Sequence, residues 1–305
     1  MARYLRRRRA ARQQPSTPAA AAADPASAPP ASAAAAAPPA GKGEVAAQVN
    51  ERYSTAAPSA QNQLDLFKGA WTSAVPVPGE VTASGPRADL FDDGRIAWAI
   101  ERLGPLAGKR VLELGPLEAG HTMMLERAGA QVLAIEAHSG AFLRCLVVKN
   151  LLDLRARFLF GDFLPYLRKA EEHFDAVVAS GVLYHMTRPV ELLHLLASHT
   201  DRLFVWTHYW HGGLAEERPD VAARFEGTDV DEAGGYRCKV HRYAYREGPA
   251  AETFCGGTAP NAAWMERDDI FASLASWGFG DVEVSFDEPF APHGPAFAFV
   301  ARRSV

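Results

Sequence analysis

The hydrophobic positions switch repeatedly between helical and strand periods along the chain. Leu90, Phe91, Ile96, Ala99 and Ile100 fall at helical spacing, and Gly104-Pro105 ends that run. Five short apolar runs of strand length follow: Arg110-Val-Leu-Glu-Leu114, Gln131-Val-Leu-Ala-Ile-Glu136, Arg157-Phe-Leu-Phe160, Phe174-Asp-Ala-Val-Val-Ala179 and Leu203-Phe-Val-Trp206. Helical periods lie between them, one through Met123 to Gly129, one through Phe142, Leu146 and Leu151, and one with Pro189 in its first turn ahead of Val190, Leu193 and Leu196. Strands this apolar are buried on both faces, so the pattern predicts an α/β fold, a Rossmann-like doubly wound parallel sheet covered by helices. The pattern then breaks. After a long insertion over residues 209–264, a helix with Ile270, Leu274 and Trp277 stops at Gly278 and Gly280, and two closely spaced strands follow, Asp281 to Phe286 and Ala296 to Ala301.

Upstream of Asp89 the periodicity fades. From Pro18 to Ala40, fourteen residues are Ala and six are Pro, too little apolar bulk to offset the entropy of ordering, so residues 1–45 are expected to form a disordered Arg/Ala/Pro-rich leader. Residues 46–88 carry Leu64, Leu66, Phe67 and Trp71, too apolar for a linker, and are expected to pack on the body, residues 89–305, as a lid or anchoring segment. The net charge of −4 conceals a split: residues 1–42 hold seven Arg and Lys against Asp24, a net of +6, which leaves −10 on residues 43–305. An acidic body disfavours indiscriminate nucleic-acid binding, which needs clustered Lys and Arg to displace counterions, so a nucleic-acid partner would require a local basic groove. Three cysteines without CxxC spacing fit a reducing compartment, and no apolar run approaches the roughly 18 residues of a membrane span. A cytoplasmic location is expected, with the Arg-rich, acid-poor start leaving organellar targeting as the lesser reading.

In doubly wound sheets the ligand lies beyond the carboxyl ends of the strands. After the first strand stands Glu113-Leu-Gly115-Pro116-Leu-Glu118-Ala-Gly120-His-Thr122, where Gly115 permits a sharp turn and Gly120 can open the next helix. The second strand ends in Glu136-Ala137, whose carboxylate can accept both hydroxyls of a ribose. The third ends in Gly161-Asp162-Phe163, where Asp162 can accept from an adenine amine, and the fourth runs into Ser180-Gly181-Val182-Leu-Tyr184-His185. A glycine turn followed 21 residues later by an acid also fits a nicotinamide dinucleotide. Against that rival, Leu117 replaces the second glycine of GxGxxG, and Glu118 would set a negative charge in the loop that must cradle a pyrophosphate. S-adenosylmethionine, a sulfonium with an adenine and a ribose and no phosphate, matches the carboxylates better.

On these residues the chain resembles the class I S-adenosylmethionine-dependent methyltransferases. Val111-Leu-Glu-Leu-Gly115, Ile135-Glu136, Gly161-Asp162 and Phe174-Asp-Ala-Val-Val-Ala-Ser-Gly-Val-Leu-Tyr-His185 look like that family's four successive motifs, and the closing helix and hairpin match its seven-stranded sheet with an antiparallel last strand. The resemblance implies a cofactor site of Glu113, Gly115, Pro116, Gly120, Glu136, Ala137, Asp162, Phe163, Ser180, Gly181 and Val182. Trp71, with Lys68 beside it, is expected either to close over the cofactor from upstream or simply to anchor its segment by hydrophobic packing. One departure is the first loop, where the family has glycines and this chain has Leu117 and Ala119, so the loop is expected to be wider or differently placed. A narrower resemblance, through Gly181-Val-Leu-Tyr-His185, Pro189 and Asp93-x-Arg95, is to the tRNA wobble-uridine carboxymethyltransferase type, which implies an RNA substrate; the −10 body opposes that part.

Methyl transfer is an in-line displacement at an already activated carbon, so the protein's work is alignment and exclusion of water, and a base is needed only for an acceptor such as a hydroxyl. His185 and Tyr184 are the candidates at the sheet edge, with His208 after the fifth strand, and His185 shaping its loop through backbone bonds is an equal reading. The insertion is expected to cover a small-molecule or glycan-type acceptor. Its run Tyr236-Arg-Cys-Lys-Val-His-Arg-Tyr-Ala-Tyr-Arg246 reads either as an edge strand protected by its cations or as an aromatic and basic binding stripe. No metal is expected: His208-x-x-His211 and Cys238-x-x-His241 have ligand spacing but lack a second cysteine pair. A catalytically silent binding scaffold is the reading from a different class.

Overall fold

A computed structural model of the chain describes residues 53–79, 81, 84–85, 89–246, 256–257 and 259–304. Residues 56–305 form one compact unit. The expected disordered leader and Cys255 lie outside the described residues.

Elements in chain order are α1 (Ala60–Asp65), α2 (Gly94–Leu103), β1 (Arg110–Leu114), α3 (Gly120–Arg127), β2 (Gln131–Glu136), α4 (Ser139–Leu151), β3 (Arg157–Phe160), α5 (Phe163–Leu167), β4 (Ala176–Ser180), α6 (Pro189–His199), β5 (Arg202–His208), α7 (Leu214–Glu217), α8 (Pro219–Ala222), β6 (Phe225–Ala233), β7 (Tyr236–Ala244), β8 (Asn261–Met265), α9 (Arg267–Ser276), β9 (Asp281–Glu288) and β10 (Ala296–Arg302). The main sheet has seven strands in the order β3-β2-β1-β4-β5-β10-β9. β1 to β5 run parallel, and β10 lies antiparallel between β5 and β9.

The near-continuous apolar runs buried both faces of the sheet, as the period analysis requires. Val111, Val132, Ala134, Val178 and Phe204 point to one face and pack with Ile96, Ala99 and Leu103 of α2 and Leu125 of α3. Leu112, Leu114, Ile135, Val177 and Val205 point to the other and pack with Leu193 and Leu196 of α6 and Ile270 and Leu274 of α9. Fixing β1 between β2 and β4 in this register sends the ends of four parallel strands to a common edge, where the loops after them converge.

Upstream, Leu64, Trp71, Val75 and Phe91 bury themselves against Ala119, Met123, Cys145 and Val148 on α3 and α4. The insertion folds as a second sheet, β6-β7-β8, all antiparallel. Gly234 and Gly235, with φ of 55° and 79°, form the tight β6-β7 turn that only such residues make without strain. The edge-strand reading of residues 236–246 is thereby corrected. β7 is the middle strand, and the exposed edge is β6, whose outward residues include Glu226, Asp229 and Glu232. No helix among the described residues is long and apolar enough to cross a membrane.

Candidate functional site

The converging strand ends enclose a cavity of about 860 Å³. Its wall contains Gly115, Pro116, Gly120, Glu136, Ala137, Asp162, Phe163, Ser180, Gly181, Val182, Tyr184 and His185. The loop after β1 is tied to the end of β2. Gly115 N donates to Ile135 O, and Leu117 N and His138 N donate to the two carboxylate oxygens of Glu136 at 3.1 and 2.8 Å. Burial raises the Glu136 carboxyl above its ordinary value, and those backbone donors work against the rise. Each carboxylate oxygen has a second acceptor position, so a hydroxyl donor can still be received. Asp162 caps α5 through Leu164 N at 2.8 Å and stands exposed at the rim.

The loop after β1 takes a left-handed backbone at positions 117 and 119 with no glycine at either. Gly115, Leu117 and Ala119 all have positive φ, of 63°, 55° and 60°. Two non-glycine residues, Leu117 and Ala119, thus adopt the left-handed backbone, at a typical cost of about 1–2 kcal/mol each. Gly120 is required for a different reason, because a Cβ there would overlap the backbone carbonyl of Leu90.

Three predicted residues do not reach the cavity. Trp71 is 4% exposed, donates from Nε1 to Leu64 O and packs on Phe67, so its apolar bulk anchors the upstream segment; the neighbouring Thr72 lines the cavity instead. Glu113 is buried beneath the loop, where it accepts from Thr122 Oγ1, and burial pushes its carboxyl up to about 7. His208 is buried behind Tyr184, stacked on Trp264, with Nδ1 donating to Gly294 O and Pro295 O. Glu118 is corrected as well. Its carboxylate turns away from the cavity, accepting from Thr72 N and Ser73 N at 2.7 and 2.9 Å and facing Arg144 Nε at 3.2 Å, so it cannot repel a phosphate in the loop.

Sequence reasoning missed Arg95, His121 and Trp206. Arg95 chelates Asp93 through Nε and a terminal nitrogen and lies over the Trp206 ring at 4.5 Å, while His121 Nε2 lies 2.9 Å from Asp93. Burial alone would raise the Asp93 carboxyl, but the hydrogen bonds and charges of His121 and Arg95 hold it well below the carboxylate range. Asp93-x-Arg95 was visible as a motif; its link to β5 through Trp206 was not. Opposite, burial and the nearby His208 lower His185 to about 4, and burial lowers His208 to about 4. Both are neutral near pH 7.

No protein-family model matches the chain. A tRNA U34 carboxymethyltransferase from Syntrophotalea carbinolica is 30% identical over 106 residues, which are 34% of this chain and 33% of that protein. The match thus spans about a third of the curated relative's length. Among solved structures, the N-terminal domain of EvdMO1 with S-adenosylhomocysteine (SAH) bound superposes with a TM-score of 0.58 at 22% identity, covering 80% of this chain and 95% of that domain. Full-length EvdMO1 gives a TM-score of 0.53 at 21% identity, covering 80% of this chain and 46% of that one. The fold is the class I methyltransferase fold. Its seven strands and antiparallel β10 are those the closing helix and hairpin lead one to expect.

Proposed function

We propose that the chain is an S-adenosylmethionine-dependent methyltransferase acting on a hydroxyl of a small-molecule or glycan-type acceptor. The observation that carries the reading is Glu136, a buried carboxylate aimed at a cavity of cofactor size by two backbone N–H groups. The donor set suits the cofactor. Glu136 would accept from the ribose, Asp162 would stand by the adenine amine with Ala137 and Phe163 beside it, and Gly115, Pro116, Ser180, Gly181 and Val182 would shape the remainder. The cofactor, when bound, supplies a methyl carbon activated by its sulfonium. His185 would take the acceptor's proton at Nε2 and Tyr184 would pack against the acceptor, since both border the cavity. The upstream segment and the insertion would exclude water, through Thr72 on one side and Gly257 and Ala259 on the other.

Calorimetry tests the site directly. SAH should bind, and Glu136→Ala should weaken it about tenfold or more, on the order of 1.4 kcal/mol. An unchanged affinity would overturn the assignment, and no binding at all would favour a silent scaffold. The sequence match to a tRNA-modifying enzyme supports a second reading, an RNA acceptor. Arg95, the cavity's arginine, is already neutralised by Asp93, and residues 43–305 carry −10, so the first reading is preferred. Steeply salt-dependent tRNA binding would reverse that preference.

A further inference from the structure

We propose that Tyr245, brought in by the insertion, is a positioning residue whose hydroxyl oxygen accepts from His185 Nδ1 and so leaves the ring's lone pair on Nε2. The proposal rests on the reading of His185 as the base of a methyl transfer. His185 Nδ1 lies 2.6 Å from Tyr245 Oη, a short hydrogen bond between residues 60 apart in the sequence. Tyr245 is buried just past the end of β7, and its backbone is fixed on both sides. Its N–H donates to Pro260 O, and its carbonyl accepts from Arg224 at 3.3 Å. The short helical turn Leu183–His185 is fixed too, by Ala263 N of β8 donating to Met186 O at 2.7 Å. The same small sheet therefore holds both partners. That gives the insertion a task beyond covering the cavity.

A neutral imidazole has one N–H and one lone pair, so whatever sits at Nδ1 decides what Nε2 can do. With Nδ1–H donating to Tyr245 Oη, the lone pair is on Nε2, the atom that would take the proton. The acceptor oxygen then bonds to the methyl carbon, the carbon–sulfur bond breaks with its electron pair going to sulfur, and the proton passes to Nε2. The imidazolium so formed keeps its Nδ1–H on the Tyr245 oxygen. In the opposite arrangement the tyrosine donates to Nδ1, Nε2 carries the hydrogen, and His185 is no base. Burial and His208 keep the ring neutral before the step, so the tautomer rather than the charge is what must be set.

Long-range proton–nitrogen correlation on the full chain with 15N-labelled histidine, saturated with SAH, reads this without turnover; His185→Gln assigns the signal. Wild type should show the Nδ1–H tautomer, and Tyr245→Phe should shift the tautomer ratio about fivefold toward Nε2–H, the worth of one hydrogen bond. An Nε2–H tautomer in wild type, or a ratio untouched by Tyr245→Phe, would overturn the proposal. If the variant fails to fold, the wild-type spectrum decides alone. Calorimetry with SAH on the same samples separates failure here from failure of the methyltransferase reading, because the tautomer can be right while SAH does not bind, and the reverse.

Discussion

The two ends of the cavity are built by different means. At the strand ends, Gly115, Glu136, Asp162 and Ser180 each stand within two residues of the end of a parallel strand, and bonds from backbone N–H groups, such as Leu117 N to Glu136 and Leu164 N to Asp162, hold the two carboxylates. At the opposite end, the wall comes from distant parts of the chain: Thr72 upstream, Arg95 over Trp206, and His185 bonded to Tyr245 of the insertion. The first end is a consequence of sheet topology and tolerates changes elsewhere. The second depends on single long-range contacts, and each of them is a place where the site can be taken apart.

The largest effect is expected where the two ends are joined. Glu118 is fully buried, accepts from Thr72 N and Ser73 N, and pairs its charge with the nearly buried Arg144. Glu118→Ala strands that cation and both amides, a loss of about 3–5 kcal/mol by chemical denaturation. A loss below about 1 kcal/mol would show water replacing the carboxylate and would make the join incidental.

Next comes a pH effect beneath the strand-end loop. Glu113 has its folded-state carboxyl raised to about 7 from 4.5 by burial. Below 4.5 both states hold the proton and nothing is lost; between 4.5 and 7 the unfolded chain releases it first, so stability falls as pH rises. Glu113→Gln removes that fall. Its advantage over wild type, without cofactor, should grow from near zero at about pH 4 to about 3 kcal/mol by pH 8. Taking the difference cancels His185 and His208, which lose stability in the opposite direction as they charge in acid. A difference independent of pH would mean Glu113 is ionised throughout. Smaller still is the tenfold affinity loss of Glu136→Ala, whose cost in stability should stay below that of Glu118→Ala, since Glu136 holds the amides of Leu117 and His138 but no buried cation.

That division explains what could be read from the sequence. The strands and the residues following them were legible because period and motif are local, and Gly115, Glu136, Asp162 and Ser180 need only their own strand to be placed. Trp71, Glu113 and His208 have the right chemistry at plausible positions, but burial decides where a side chain points, and burial is set by neighbours tens of residues away. Tyr245 was visible as one aromatic in a stripe; that its hydroxyl meets His185 follows only from the pairing of β7 with β8. Glu118 was misread for the same reason, since its partners Thr72, Ser73 and Arg144 lie on two other segments.

The smallest effect tests how the loop after β1 does without glycine at position 119. Ala119 has φ of 60° and is fully buried among Met123, Cys145 and Val148. Changing it to glycine relieves about 1–2 kcal/mol of left-handed strain. The same change frees the unfolded chain, costing about 0.4–1 kcal/mol, and removes a buried methyl worth about 0.8 kcal/mol. The terms nearly cancel, so Ala119→Gly should alter stability by less than about 1 kcal/mol in thermal unfolding. The left-handed turn is then held by what packs on Ala119, and a substantial gain from glycine would mean the upstream segment contributes nothing to that packing. Ala119→Val separates the two cases: a branched side chain is excluded from this conformation however well it packs, so it should destabilise strongly while leaving the strand-end contacts of Glu136 in place.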